Sequence, residues 1–186
     1  MCLTQVAPGT ETSPNPIGAL RRTLQFTDRI HLFITDNLEQ AHWEKLAWNI
    51  PFNGLGVASA AGIEAVRSGT MPAALQPCMT TDKLLDDPAW AQLLRELMME
   101  IIDTARARKL PVAHSLADEQ ISRTRSMGAY KASTVLDFEQ GREIELETLF
   151  LEPVRQARNA GVPAPRLSAL CNVLQQLTAR MTSTTI

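Results

Sequence analysis

Cysteine is scarce in this chain and poorly spaced for chemistry. Cys2, Cys78 and Cys171 are odd in number and far apart, and no C-x-x-C pair occurs. Neither a disulfide framework nor a zinc site is indicated. The three histidines, His31, His42 and His114, are scattered as well, and H-E-x-x-H is absent, so no metal site is expected. An excess of either charge is lacking: 18 Lys and Arg against 20 Asp and Glu give a net charge of −2. There is no basic field to draw nucleic acid or anionic lipid. The short run Arg106, Arg108, Lys109 reads instead as cations at a helix C-terminus. No apolar run approaches the roughly 18 residues of a membrane span. The first residues lack the basic-then-apolar order of a secretory signal, so a cytoplasmic location is expected. Internal repeats and low-complexity segments are missing too.

Motifs for phosphates and acyl transfer are also lacking. There is no Walker A loop, no G-x-S-x-G and no alternation of strands with helices, so a parallel sheet is not expected. The nearest approach to a dinucleotide turn is Gly54-Leu-Gly56-Val-Ala-Ser59. It has serine in the third glycine place and a helical pattern ahead of it instead of a strand. No cofactor-binding residue can be named from the sequence.

What is present is an ordinary globular composition, 45% hydrophobic and 20% charged over 186 residues, enough for one domain with a sizeable core. Two segments are expected. Residues 1–35 read as an arm rich in proline and hydroxyl residues, a short helix over about Ile17–Thr27, and a single short strand at Leu32–Ile34. Residues 36–186 read as a helical domain, and the fold class is all-α. Asp36, with Glu39 three residues on, reads as the capping box of a helix reaching about Asn49 and bending at Pro51. Gly54, Gly56 and Gly62 are expected to loosen the chain after it, and residues 67–80 form a loop. Asp87-Pro88 is a helix start. Trp90, Leu94, Leu97, Met98, Ile101, Ile102 and Ala105 then follow at helical spacing. A short helix is expected over 116–127, another over Glu143–Ala160 with a kink at Pro153, and a last one over Arg166–Met181.

The segment Trp43-Glu-Lys45-Leu-Ala-Trp-Asn49-Ile-Pro-Phe-Asn53 carries the most information. Lys45, Asn49 and Asn53 recur every four residues and form one slowly drifting polar stripe on a helix. Trp43, Leu46, Ala47 and Ile50 fall on an adjacent face that suits a core. Each asparagine inside a helix costs about 0.5–0.7 kcal/mol relative to alanine, so the stripe is either a solvated face or a surface kept for function. An ammonium there can bind a carboxylate or protonate an oxyanion, and amides can orient a hydroxyl or carbonyl. A second segment runs from Ser133 through Gly141 to Glu145. An acid at a helix start is a dipole partner or faces Lys45 and orients it, and both readings stand.

Together these segments resemble the C-terminal domain of the ketopantoate reductase (2-dehydropantoate 2-reductase) family. Lys45-x3-Asn49-x3-Asn53 looks like the start of that domain. Ser133-Thr-Val-Leu-Asp-Phe-Glu-Gln-Gly-Arg-Glu-Ile-Glu145 looks like its second signature, with the serine twelve residues before the glutamate, and Ala157-Arg-Asn-Ala-Gly-Val-Pro-Ala-Pro looks like its turn into the final helix. The resemblance covers about residues 36–178.

It implies an all-helical fold similar to the C-terminal domain of 6-phosphogluconate dehydrogenase. It also implies NADPH-dependent reduction of 2-dehydropantoate to pantoate, a step of pantothenate synthesis. Lys45 matches the general acid; Asn49, Asn53 and Ser133 match residues that hold the substrate; Glu145 matches a ligand-contacting, supporting acid. The family's Rossmann domain has no counterpart here, residues 1–35 being too short for one. The chain is therefore expected to supply the substrate-binding and catalytic half without being competent alone. The expected partners are a small 2-keto acid and either a second copy of the chain or a separate nucleotide-binding domain, its uncovered face lying around Phe52, Leu55, Val57 and residues 143–160. The alternatives are a non-catalytic dimerisation or interaction module derived from that family, and a reductase half for another 2-keto acid.

Overall fold

The computed structural model describes residues 37–184. The expected arm, first helix, short strand and Asp36 cap lie outside these residues. Among the described residues every regular element is helical and no strand occurs, as an all-α domain requires. The elements are α1 (Leu38–Ala58), a 3-10 turn (Ser59–Ala61), α2 (Ile63–Ser68), α3 (Thr81–Asp86), α4 (Pro88–Ala107), α5 (Leu116–Arg125), α6 (Ser133–Glu139), a π-helical turn (Leu146–Leu151), α7 (Glu152–Asn159) and α8 (Pro165–Thr184).

Helix α1 is the hub. It packs on α4 along most of its length and also touches α3, α5, α6, α8 and the π turn. Its start is capped by Asn37, whose side-chain oxygen accepts the N–H of Gln40, so the cap falls on an amide and satisfies one of the helix's orphan donors. The first turns are amphipathic. From Ile50 to Ala61 every residue is buried, as befits a helix that is apolar all round.

That burial corrects two expectations. The helix does not stop near Asn49 but runs through Pro51 to Ala58. The hydrogen bond that Pro51 cannot donate is a local loss, outweighed by neighbours packed on every side. Gly54 and Gly56 do not loosen the chain; both lie inside the helix where a neighbour comes too close for a side chain. A Cβ on Gly54 would lie 2.6 Å from Leu170 Cδ2 and 2.8 Å from Phe150 Cε1, and one on Gly56 would lie 2.5 Å from Val135 Cγ2. The same packing overturns the expectation of an uncovered face at Phe52, Leu55 and Val57, all fully buried.

Helix α4 follows its sequence signals closely. Asp87 Oδ1 accepts the N–H of Ala89 (2.9 Å) and of Trp90 (3.2 Å), and Pro88 occupies the first helical position. Trp90, Leu94, Leu97, Met98, Ile101, Ile102 and Ala105 are all buried. Arg106 and Arg108 do sit at its C-terminus, with further work there. Arg106 donates to the Val112 carbonyl (2.9 Å), and Arg108 lies 5.5 Å from the Trp43 ring centre while pairing with Glu39 and Gln156.

The 143–160 segment departs from expectation. Instead of one kinked α-helix, irregular chain with a tight turn at Glu145 leads into the π turn, and α7 begins at Glu152 with Pro153 in its first turn. Pro153 lacks the N–H that an uninterrupted α-helix would give to Leu149, and the wider turn falls just ahead of it. Helices α5 and α8 lie close to the expected 116–127 and 166–181.

Candidate functional site

The polar stripe emerges where α1 passes from its exposed start into the core. Lys45 is exposed, Asn49 half-buried and Asn53 buried at 3% exposure. Along a helix rising 1.5 Å per residue, the three span about 12 Å. Lys45 makes no ion pair among the described residues and points to solvent; Asn53 lies against α6.

Asn53 is the joint between the two segments singled out in the sequence. Its Oδ1 accepts the backbone N–H of Thr134 at 3.0 Å, and its Nδ2 donates to the Asn49 carbonyl at 2.9 Å. A backbone N–H can only donate, so the atom facing Thr134 is the amide oxygen and the orientation of the group follows. The bond joins residues 81 positions apart and holds the first turn of α6 on the same side of α1 as the stripe. Val135 seated over Gly56 completes the contact. Ser133, the first residue of α6, is thereby held beside Asn53, with its own side chain exposed.

Glu145 stands apart from this joint. It is exposed, precedes the π turn, and contributes its carbonyl to the N–H of Leu149 (3.0 Å). No ion pair links it to Lys45. The structure thus joins Asn53 to the Ser133 segment, sets Lys45 and Asn49 along one face, and leaves Glu145 at the end of an irregular connection from α6.

Aromatic rings flank the stripe, and they were not legible as site residues in the sequence. Trp48, half-buried between Lys45 and Asn49 in sequence, has its ring 5.0 Å from Phe52 and 6.4 Å from Tyr130. Its Nε1 donates to Thr124 Oγ1 at 2.8 Å.

The concave surfaces lie elsewhere. One of about 400 Å³ is lined by Arg67, Gln92, Glu96 and Arg166, but its charges serve one another. Arg166 Nε donates to Glu96 at 2.9 Å, and that bond, with one from Gln92, holds the Glu96 carboxyl below the ordinary range. Glu100 next to it accepts the N–H groups of Arg166 (3.0 Å) and Leu167 (2.9 Å) at the start of α8. Burial pushes it above the ordinary range despite those bonds. A smaller concavity of about 210 Å³ involves Glu39, Trp43, Arg108 and Gln156. Cys78 and Cys171 are buried free thiols, raised by burial to about 11 and about 12, too high to supply a thiolate nucleophile near neutrality.

The nearest approach to a dinucleotide turn, Gly54 to Ser59, does not fit a pyrophosphate. A pyrophosphate needs backbone N–H groups bared at a glycine turn ahead of a helix. Gly54 and Gly56 are instead mid-helix, their bare α-carbons covered by Leu170, Phe150 and Val135.

Residues 70–178 match the family described as ketopantoate reductase PanE/ApbA, C-terminal. The chain is 27% identical over 154 residues to a 2-dehydropantoate 2-reductase of Nostoc sp., covering 83% of this chain and 43% of that protein. Among solved structures it resembles a 2-dehydropantoate 2-reductase of Geobacter metallireducens, with a TM-score of 0.68 and 29% identity over 89% of this chain and 49% of the other. A dimeric ketopantoate reductase of Staphylococcus aureus shares the fold (TM-score 0.64, 20% identity, 91% of this chain and 53% of the other). The chain spans about half the length of the relatives it matches.

Proposed function

The chain belongs to the ketopantoate reductase C-terminal family, and on that premise we propose that it supplies the substrate-gripping and proton-donating half of a 2-keto acid reductase. The substrate class that the family favours is 2-dehydropantoate, reduced to pantoate. The observation that carries this reading is the Asn53 joint, which sets the Ser133 segment on the face of α1 that bears Lys45 and Asn49.

In this reading Lys45 holds its ammonium toward the keto oxygen and gives that oxygen a proton as it becomes an alkoxide. A lysine is a weak acid, but an alkoxide is a far stronger base, so the transfer runs downhill. Asn49 offers an uncharged donor and acceptor to the substrate's hydroxyl or carboxylate, and the Ser133 hydroxyl offers another. Asn53 fixes the spacing between them. Glu145 supports the site from the far end of the α6 connection. Hydride comes from the cofactor and is assigned to no described residue; NADPH would be held by a nucleotide-binding domain or partner. A homodimer is the assembly proposed, by analogy with the dimeric relative.

Calorimetric titration of the 186-residue chain with 2-dehydropantoate tests the reading. Saturable binding that Lys45→Met weakens at least about tenfold, the loss of one charge-assisted contact of roughly 1.5–3 kcal/mol, is the expected result. Binding indifferent to Lys45 would reject it.

A further inference from the structure

Lys45, Asn49 and Ser133 account for the carboxylate and keto oxygen of a 2-keto acid; the substituent beyond C2 needs a wall of its own. On the turn of α1, Trp48 stands about 60° to one side of Lys45 and Phe52 about 20°, at 100° per residue. Trp48 therefore borders the Lys45 end of the stripe, on the side away from Asn49 and Asn53, with the buried Phe52 ring beneath it. The Trp48 ring is locked by its hydrogen bond to Thr124 Oγ1, which in turn donates to the Gln120 carbonyl at 2.7 Å.

Tyr130 meets that ring from the α5–α6 loop, three residues before Ser133. The loop is pinned by one buried side chain. The Thr81 N–H donates to the Tyr130 carbonyl (2.9 Å) and the Thr81 hydroxyl to the Gly128 carbonyl (2.9 Å). The Tyr130 side chain is nevertheless 41% exposed, with Met127 at 43% and Leu136 at 40%. Three of the five exposed large apolar side chains among the described residues thus lie within residues 127–136, beside the stripe. Of these, Tyr130 is the one set against the stripe, by its ring contact with Trp48. The nearest charges, Lys131 and Glu139, are spent on each other at 2.7 Å and 2.6 Å, so nothing in this wall attracts a charged substituent.

We infer that Trp48 and Tyr130 form the side wall that reads the substituent on the keto carbon, selecting bulky apolar groups, branched or aromatic, over methyl. The inference rests on the function proposed above. Tyr130 is a specificity residue on an exposed loop, so its truncation leaves the core intact.

The test measures dissociation constants of the full chain for phenylglyoxylate, 3-methyl-2-oxobutanoate and pyruvate, for the wild type, Tyr130→Ala, Tyr130→Phe and Lys45→Met. The wild type is expected to favour the two bulky acids by roughly tenfold, the usual worth of apolar groups in a fitted pocket. Tyr130→Phe keeps that preference, Tyr130→Ala brings the three acids toward parity, and Lys45→Met weakens all three alike. If Lys45→Met weakens all three but the ranking is absent or survives Tyr130→Ala, the wall is wrong and the site stands. If Tyr130→Ala changes the mass seen by light scattering and leaves the ranking, the patch is a protein contact and the wall is likewise overturned. If no acid binds, or Lys45→Met changes nothing, the site itself fails and the wall with it.

Discussion

A single side chain, Asn53, connects the two segments that the sequence sets 80 residues apart. Its amide is buried, and both ends are used, one for the Thr134 N–H and one for the Asn49 carbonyl. Replacing it with the near-isosteric leucine leaves the Thr134 N–H buried without a partner, at a cost of about 1–3 kcal/mol. Urea unfolding of Asn53→Leu should show that loss; an unchanged midpoint would remove the joint from the account. The i, i+4 spacing made the stripe legible, because helical periodicity is local. The partner was not legible, since no local pattern encodes a bond across 81 residues. Nor did spacing reveal which members of the stripe are exposed: Lys45 faces solvent while Asn53, two turns later, lies inside.

Helices announced by local chemistry were readable from the chain. Asp87-Pro88 marks the start of α4 because a carboxylate cap and a proline at the first position satisfy or remove orphan donors without any tertiary help. Where packing overrules local preference the reading failed. Helix α1 passes through Pro51 and two glycines because other helices press on it from all sides, and the π turn before Pro153 replaces a helix start at Glu145. The glycines give the sharper lesson: in sequence they looked like slack, and in the fold they are points of closest approach. Gly56→Ala should lower stability, by up to about 2 kcal/mol. A Cβ at 2.5 Å from the stiff Val135 side chain overpacks the α1–α6 contact by about 1–3 kcal/mol, against a gain of about 1 kcal/mol in helix propensity. A thermal melt shifted upward instead would mean that α6 is not seated on α1 as described.

At the scale of the whole molecule, the described residues make an all-helical domain matching about half of each relative. The fold class was legible because helical periodicity recurs in every long segment and no alternating apolar run competes with it. The candidate site was legible only through motifs, because the contact of α6 on α1 at Asn53 exists only once the two are packed. The central claim is that the surface around this contact, and not the concavity beside Arg67, Gln92 and Arg166, receives a 2-keto acid or its reduced product. Backbone ¹H–¹⁵N correlation spectra of the full chain, titrated with pantoate, test it most directly. The account predicts saturable shifts concentrated at residues 45–53, 130–134 and 145. Shifts centred on residues 66–67, 92–96 and 165–169, or none that saturate, would contradict it.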